Sequence, residues 1–138
     1  YLLPFGKAKV VREGNDLSII TYGAMVHESN FAVKKLEDDG YSVEIIDIRT
    51  IAPLDVETIY KSVKKTGKAI VIHEDTLTAG FGAEIAALIT ENCFESLDGP
   101  VRRIGAFDAP IPFAPNLEQA ILPTREKIYK SLKQLLEY

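Results

Sequence analysis

Three ionisable side chains stand in a row, His73, Glu74 and Asp75, directly after the β-branched run Ala69–Ile72. A histidine flanked by carboxylates is the raw material of acid/base chemistry, one group moving a proton while its neighbour orients it. The spacing argues against that here. Adjacent residues on a strand point to opposite faces, so His73 and Glu74 are not expected to touch. The reading favoured is structural, with the polar heads bonded to neighbouring backbone or to a partner subunit. The next residues, Thr76-Leu-Thr-Ala-Gly-Phe-Gly, supply a turn, and Gly80-Phe81-Gly82-Ala83-Glu84-Ile85 has the look of half a phosphate-binding fingerprint at the start of a helix. Amides at a helix N-terminus do attract anions. However, Ile85 holds the position of the third glycine, and the loop between Glu74 and Phe81 is far longer than the tight turn such a fingerprint requires. The glycines therefore read as serving close packing or an interface.

Other reactive types are scattered. Arg49 follows the apolar run Ile45–Ile48, where a guanidinium suits a carboxylate or phosphate, although an inter-domain salt bridge fits equally well. His27 reads as a surface or interface residue. The single cysteine, Cys93, lies late in an apolar helix and reads as a small core residue. One thiol and two separated histidines make no metal cluster. No nucleophile-base pair or phosphate loop is complete, so no catalytic, cofactor-binding or metal-binding residue is assigned.

The elements that would hold these residues alternate. Two short strands are expected over Ala8–Glu13 and Leu17–Tyr22, paired antiparallel at a sheet margin around the Gly14-Asn15-Asp16 turn. A helix over Met25–Asp39 ends at Gly40, a strand follows over Ser42–Ile48, and Asp55 caps a helix whose Val56, Ile59, Tyr60 and Val63 recur at i, i+3, i+4 and i+7. Gly67 closes that helix. The strand Ala69–Ile72, a helix over Ala83–Cys93 and a strand over Val101–Ala106 come next. Pro110, Pro112 and Pro115 mark Phe107–Leu122 as a covering loop. Thr124 then caps a last helix with Ile128, Leu132, Leu135 and Leu136 as its apolar stripe. The expected fold is α/β: three layers, α/β/α, around a mostly parallel sheet whose first strand is the antiparallel exception. Ligand sites in such sheets lie in the crevice beyond the carboxyl ends of the strands, which is where His73–Gly82 falls.

The chain's 138 residues suit one domain, and a composition 46% hydrophobic and 26% charged is that of an ordinary globular protein. A net charge of −4 gives no support for nucleic acid or an anionic membrane as partner. No apolar run approaches the roughly 18 residues of a membrane span. The opening Tyr1-Leu-Leu-Pro-Phe-Gly reads as a linker, so a piece of a longer polypeptide is expected.

Four segments, in order, carry a family likeness: Ser18-Ile-Ile-Thr-Tyr-Gly; Glu44-Ile-Ile-Asp-Ile-Arg-Thr-Ile-Ala-Pro-Leu-Asp55; Val71-Ile-His-Glu-Asp-Thr-Leu-Thr-Ala-Gly-Phe-Gly-Ala-Glu-Ile85; and Arg103-Ile-Gly-Ala-Phe-Asp-Ala-Pro-Ile-Pro-Phe113. Together they resemble the C-terminal domain of the β subunit of thiamine-diphosphate-dependent 2-oxo acid dehydrogenases, the decarboxylating components of the pyruvate and branched-chain complexes. The strand and turn patterns are shared with transketolase and deoxyxylulose-phosphate synthase, which stand as the alternative, beside a free-standing small-ligand-binding α/β module. The resemblance implies a five-stranded mixed sheet with one antiparallel strand. It implies a parent enzyme that decarboxylates a 2-oxo acid on thiamine diphosphate, with magnesium, and passes the acyl group to a lipoyl-bearing acyltransferase. In that family the coenzyme lies between the α subunit and the N-terminal domain of the β subunit, so this domain alone is not expected to bind it or to catalyse. The implied partners are the α subunit, a second β subunit and the subunit-binding domain of dihydrolipoyl acyltransferase. The implied compartment is a bacterial cytoplasm, or the mitochondrial matrix in a eukaryote. On this basis His73, Glu74, Thr78, Gly80, Phe81 and Gly82 are candidate interface residues, and Glu137 and Tyr138 a candidate acyltransferase dock suited to a basic partner.

Overall fold

The computed structural model describes residues 6–49, 53–76, 80–106 and 124–138. The expected loop over Phe107–Leu122 and the candidate Thr78 lie outside these residues. Along the chain run β1 (Lys9–Arg12), β2 (Leu17–Thr21), α1 (Ala24–Asp38), β3 (Val43–Asp47), α2 (Val56–Thr66), β4 (Ala69–Thr76), α3 (Phe81–Cys93), a 3-10 turn (Phe94–Ser96), β5 (Arg102–Ala106) and α4 (Arg125–Leu136). The five strands form one sheet in the order β1-β3-β2-β4-β5, parallel except for β1.

The antiparallel partner of β1 is β3, with Lys9 opposite Asp47 and a bulge between Val10 and Arg12; the expected β1-β2 hairpin does not form. The reason lies in β2, whose five residues are all buried and whose two edges are taken by β3 and β4. A strand apolar on both faces belongs at the centre of a parallel sheet, where no hairpin partner fits. The chain therefore passes from β1 to β2 over the end of β3. Gly14 lies flat on that strand, since a Cβ at Gly14 would come within 2.3 Å of the Val43 carbonyl carbon. The amides of Asn15 and Asp16 both donate to the Ser42 carbonyl, at 3.2 and 2.8 Å.

Strand alternation divides the core between two faces. Leu17, Ile19, Ile45, Ile70 and Ile72 meet α1 and α4; Ile20, Ile46, Ala69 and Val71 meet α2 and α3. Helix ends follow the chemistry of their residues. Asp55 accepts from the Thr58 amide at 3.2 Å and opens α2, Gly67 at φ 78° closes it, and Thr124 accepts from the Lys127 amide at 3.3 Å to open α4.

Candidate functional site

Strand β4 continues through His73, Glu74 and Asp75 to Thr76 rather than stopping at Ile72. The extension matters because it keeps the strand's alternation: His73 points to the α2/α3 face and is fully buried, whereas Glu74 is exposed. The two side chains do not form an acid/base pair. What faces His73 is the first turn of α3. A Cβ at Gly82 would lie 2.2 Å from His73 Nε2 and 2.3 Å from its Cδ2, closer than nonbonded heavy atoms approach. Gly82 is therefore glycine because an imidazole occupies the space of its side chain, and the β4–α3 junction is closed by backbone set on a ring. Gly80 is the extended N-cap of α3, with no side-chain cap. Phe81 packs partly buried against the apolar cluster beneath α2 and α3. Of the candidate residues on this stretch, His73 and Gly82 meet directly, and Gly80 and Phe81 position them.

Glu137 and Tyr138 lie at the other end of the sheet. Lys68, just before β4, donates to the Leu136 carbonyl at 3.3 Å, and the Tyr138 ring rests on Gly99, where a Cβ would stand 3.0 Å from Tyr138 Cδ1. Tyr138 is nevertheless 71% exposed. It borders a groove of about 440 Å³ between β5 and α4 that also takes in Arg102, Arg103, Ser131 and Gln134. Arg102 and Arg103 thus line the same groove as Tyr138.

Two buried polar clusters were not anticipated from the sequence. Glu44, on β3, is 2% exposed and accepts from the Gly14 amide at 3.1 Å and from Lys65 of α2. Burial pushes its carboxyl upward, but the donors Lys65, Ser62 and the Gly14 amide outweigh that and hold it below the ordinary glutamate range. Next to it Ser18 Oγ meets Ser62 Oγ at 2.6 Å and Thr66 Oγ1 at 2.8 Å, joining β2 to α2. The signal was present: Glu44 shares a strand face with Ile46 and Ile48, a position where a charge needs a partner. Both clusters are internally satisfied and knit layers together. Arg49, at φ 54°, is turned back on its own neighbour, its amide 3.0 Å from Asp47 Oδ1 and its Nε 3.5 Å from Oδ2, so its guanidinium is engaged locally. His27 is exposed and edges onto Phe31, ring centroids 5.0 Å apart, while Cys93 is buried under α2. Among the described residues no group of three or more His, Cys, Asp or Glu is placed to hold a metal ion.

The model of the transketolase C-terminal domain matches residues 6–128. The chain belongs to that family. Within it, the chain is 49% identical over all 138 residues to the pyruvate dehydrogenase E1 component subunit beta of Staphylococcus aureus, and 46% identical to that of Staphylococcus epidermidis. It spans 42% of the length of these relatives. In the fold, this transketolase C-terminal domain superposes on a split-gene transketolase solved as an inactive β4 tetramer, with a TM-score of 0.82 and 24% identity, covering 98% of this chain and 43% of that one. A 2-oxoglutarate:ferredoxin oxidoreductase from Magnetococcus marinus follows, with a TM-score of 0.62 and 16% identity, covering 94% of this chain and 19% of the other. The expected three-layer fold with one antiparallel strand is thus the observed one.

Proposed function

We propose that this chain is the C-terminal assembly domain of the β subunit of a 2-oxo acid dehydrogenase, with pyruvate as the substrate of the parent enzyme. The observation that carries the reading is the 49% identity running the full length of the chain to a pyruvate dehydrogenase E1 β subunit. Branched-chain 2-oxo acids are the second substrate class, and the transketolase and synthase alternatives are disfavoured by that identity.

The parent enzyme's thiamine diphosphate and magnesium would supply decarboxylation, the coenzyme acting as the electron sink. The described residues do not fit that group: the carboxylates of Glu44 and Asp55 are used by internal hydrogen bonds, and His73 is buried under α3. We therefore assign this domain no direct part in the reaction. Its part is to hold the rest of the subunit, with the His73–Gly82 junction stiffening the carboxyl end of β4 and the Tyr138 end offering a surface to the acyltransferase. An α subunit and a second β subunit complete the enzyme, in a bacterial cytoplasm, as the staphylococcal relatives suggest.

Reconstitution tests this. The full β subunit containing this domain, combined with its α subunit, is expected to oxidise pyruvate with an artificial electron acceptor. Turnover of ketose phosphates instead would overturn the reading. In the same assembly Glu137→Lys is expected to weaken acyltransferase binding; unchanged binding would remove Glu137 from the dock.

A further inference from the structure

Strand β5 lies at one side of the sheet and pairs with β4, so among the described residues its outer edge carries no partner strand. The groove between β5 and α4 runs along that edge. Side chains alternate on a strand, yet the consecutive residues Arg102, Arg103 and Ile104 all line it, which puts the backbone of β5 itself in the wall. The facing wall, on α4, contributes the hydrogen-bonding side chains of Ser131 and Gln134, with Tyr138 at the end. Five residues at about 3.3 Å each present roughly 17 Å of open edge, the length of an ordinary strand and enough to pair with one.

The arginines point to the occupant. Elsewhere in the described chain each guanidinium holds a carboxylate: Arg12 that of Glu37, Arg49 that of Asp47 and Arg125 that of Glu28. Arg102 is exposed and has no ion pair or hydrogen bond from its side chain among the described residues. A guanidinium is built for a planar acceptor such as a carboxylate. A second copy of this chain does not supply one. Pairing β5 with β5 lines up the arginines of both copies, and pairing it with the other edge strand, β1, meets Lys9 and Arg12, so like charges oppose either contact. We propose that the open edge of β5 is a docking site for an extended acidic segment of a different polypeptide, which joins the sheet as a sixth strand, sets a carboxylate on Arg102 and lies in the groove against α4. This adds a site of opposite charge to the one proposed around Glu137, and it does not depend on which reaction the parent enzyme performs.

The test titrates the full-length polypeptide that carries this domain into a fluorescent peptide of alternating glutamate and valine, read by anisotropy, with glutamine-valine and lysine-valine peptides as controls. Saturable binding of the glutamate peptide is expected, stronger than that of either control. Arg102→Glu, an exposed substitution, is expected to weaken it by about tenfold and to transfer the preference to the lysine peptide, a reversal that a misfolded variant cannot produce. Amide exchange over β5, followed by mass spectrometry, should slow several-fold when the glutamate peptide is bound. Displacement of the peptide when the polypeptide assembles with its own partner subunit would support the proposal and name the source of the segment. Absence of saturable binding, equal affinity for the three peptides, or unchanged binding by Arg102→Glu would overturn it. So would unchanged exchange over β5, or displacement by succinate at the peptide's own concentration, since these leave a simple anion site and no added strand. Loss of peptide binding as the polypeptide self-associates at high concentration would assign the edge to a second copy and overturn the proposal as well.

Discussion

Gly82→Ala isolates the contact at the centre of the candidate site. On propensity alone the change, in the first turn of α3, should help, because glycine is about 1 kcal/mol worse than alanine in a helix interior. The geometry opposes it. The new methyl would stand 2.2 Å from His73 Nε2, and His73 is fully buried, so the ring has no solvent to swing into. Overpacking of this kind costs about 1–3 kcal/mol, and strain at two ring atoms places it in the upper part of that range. The net expectation is a loss of about 1–2 kcal/mol, or about 3–8 °C in Tm for a domain of this size. Urea denaturation followed by circular dichroism measures it. His73→Ala should be destabilising as well, through the cavity it leaves, yet the double variant should lose less than the sum, since each change removes the other's conflict. A Gly82→Ala chain as stable as the parent, or more stable, would refute the argument that the imbalance between propensity and packing is decided by His73.

Gly14→Ala should cost more than Gly82→Ala, because its methyl meets the backbone of Val43 and Glu44 at 2.3–2.7 Å and backbone cannot rotate aside; comparing the two urea midpoints checks the order. Glu44 should add an acid limb to stability. Its folded value is held below the ordinary 4.5, so its contribution is present above that value and disappears as pH falls through the lower folded one. Glu44→Gln should flatten that part of a pH–stability curve, and Lys65→Met should cost about 1–2 kcal/mol at neutral pH, discounted because the lysine is half exposed, and less in acid. Cys93, whose thiol burial pushes upward, should resist a thiol reagent until the chain unfolds, as a colorimetric time course in and out of urea will show.

The layer order and most element ends were legible because they follow from short-range chemistry: the i, i+3, i+4, i+7 stripe of α2, the caps at Asp55 and Thr124, the glycines at 40 and 67. The pairing of β1 was not, because a turn signal such as Gly14-Asn15-Asp16 states that the chain reverses and says nothing of which strand lies alongside. That was decided by β2, too apolar to leave the centre. In the candidate site the sequence correctly separated His73 from Glu74 by alternation, and gave Gly82 to close packing. It did not show that the packing partner was His73 itself, nine residues earlier, since the length of β4 was underestimated at Ile72. The Glu44–Lys65 and Ser18–Ser62–Thr66 clusters join residues far apart in the chain. Only the oddity of a charge among isoleucines announced them. That Arg102 and Arg103 share a groove with Tyr138 was not legible for the same reason, as they come from a different element.

Calorimetric titration with thiamine diphosphate and magnesium tests the central claim most directly, performed on this chain and on the full β subunit assembled with its α subunit. No heat of binding is expected from the chain alone, and stoichiometric binding from the assembly. Tight binding by the chain alone would contradict it, and would place the coenzyme site within this domain.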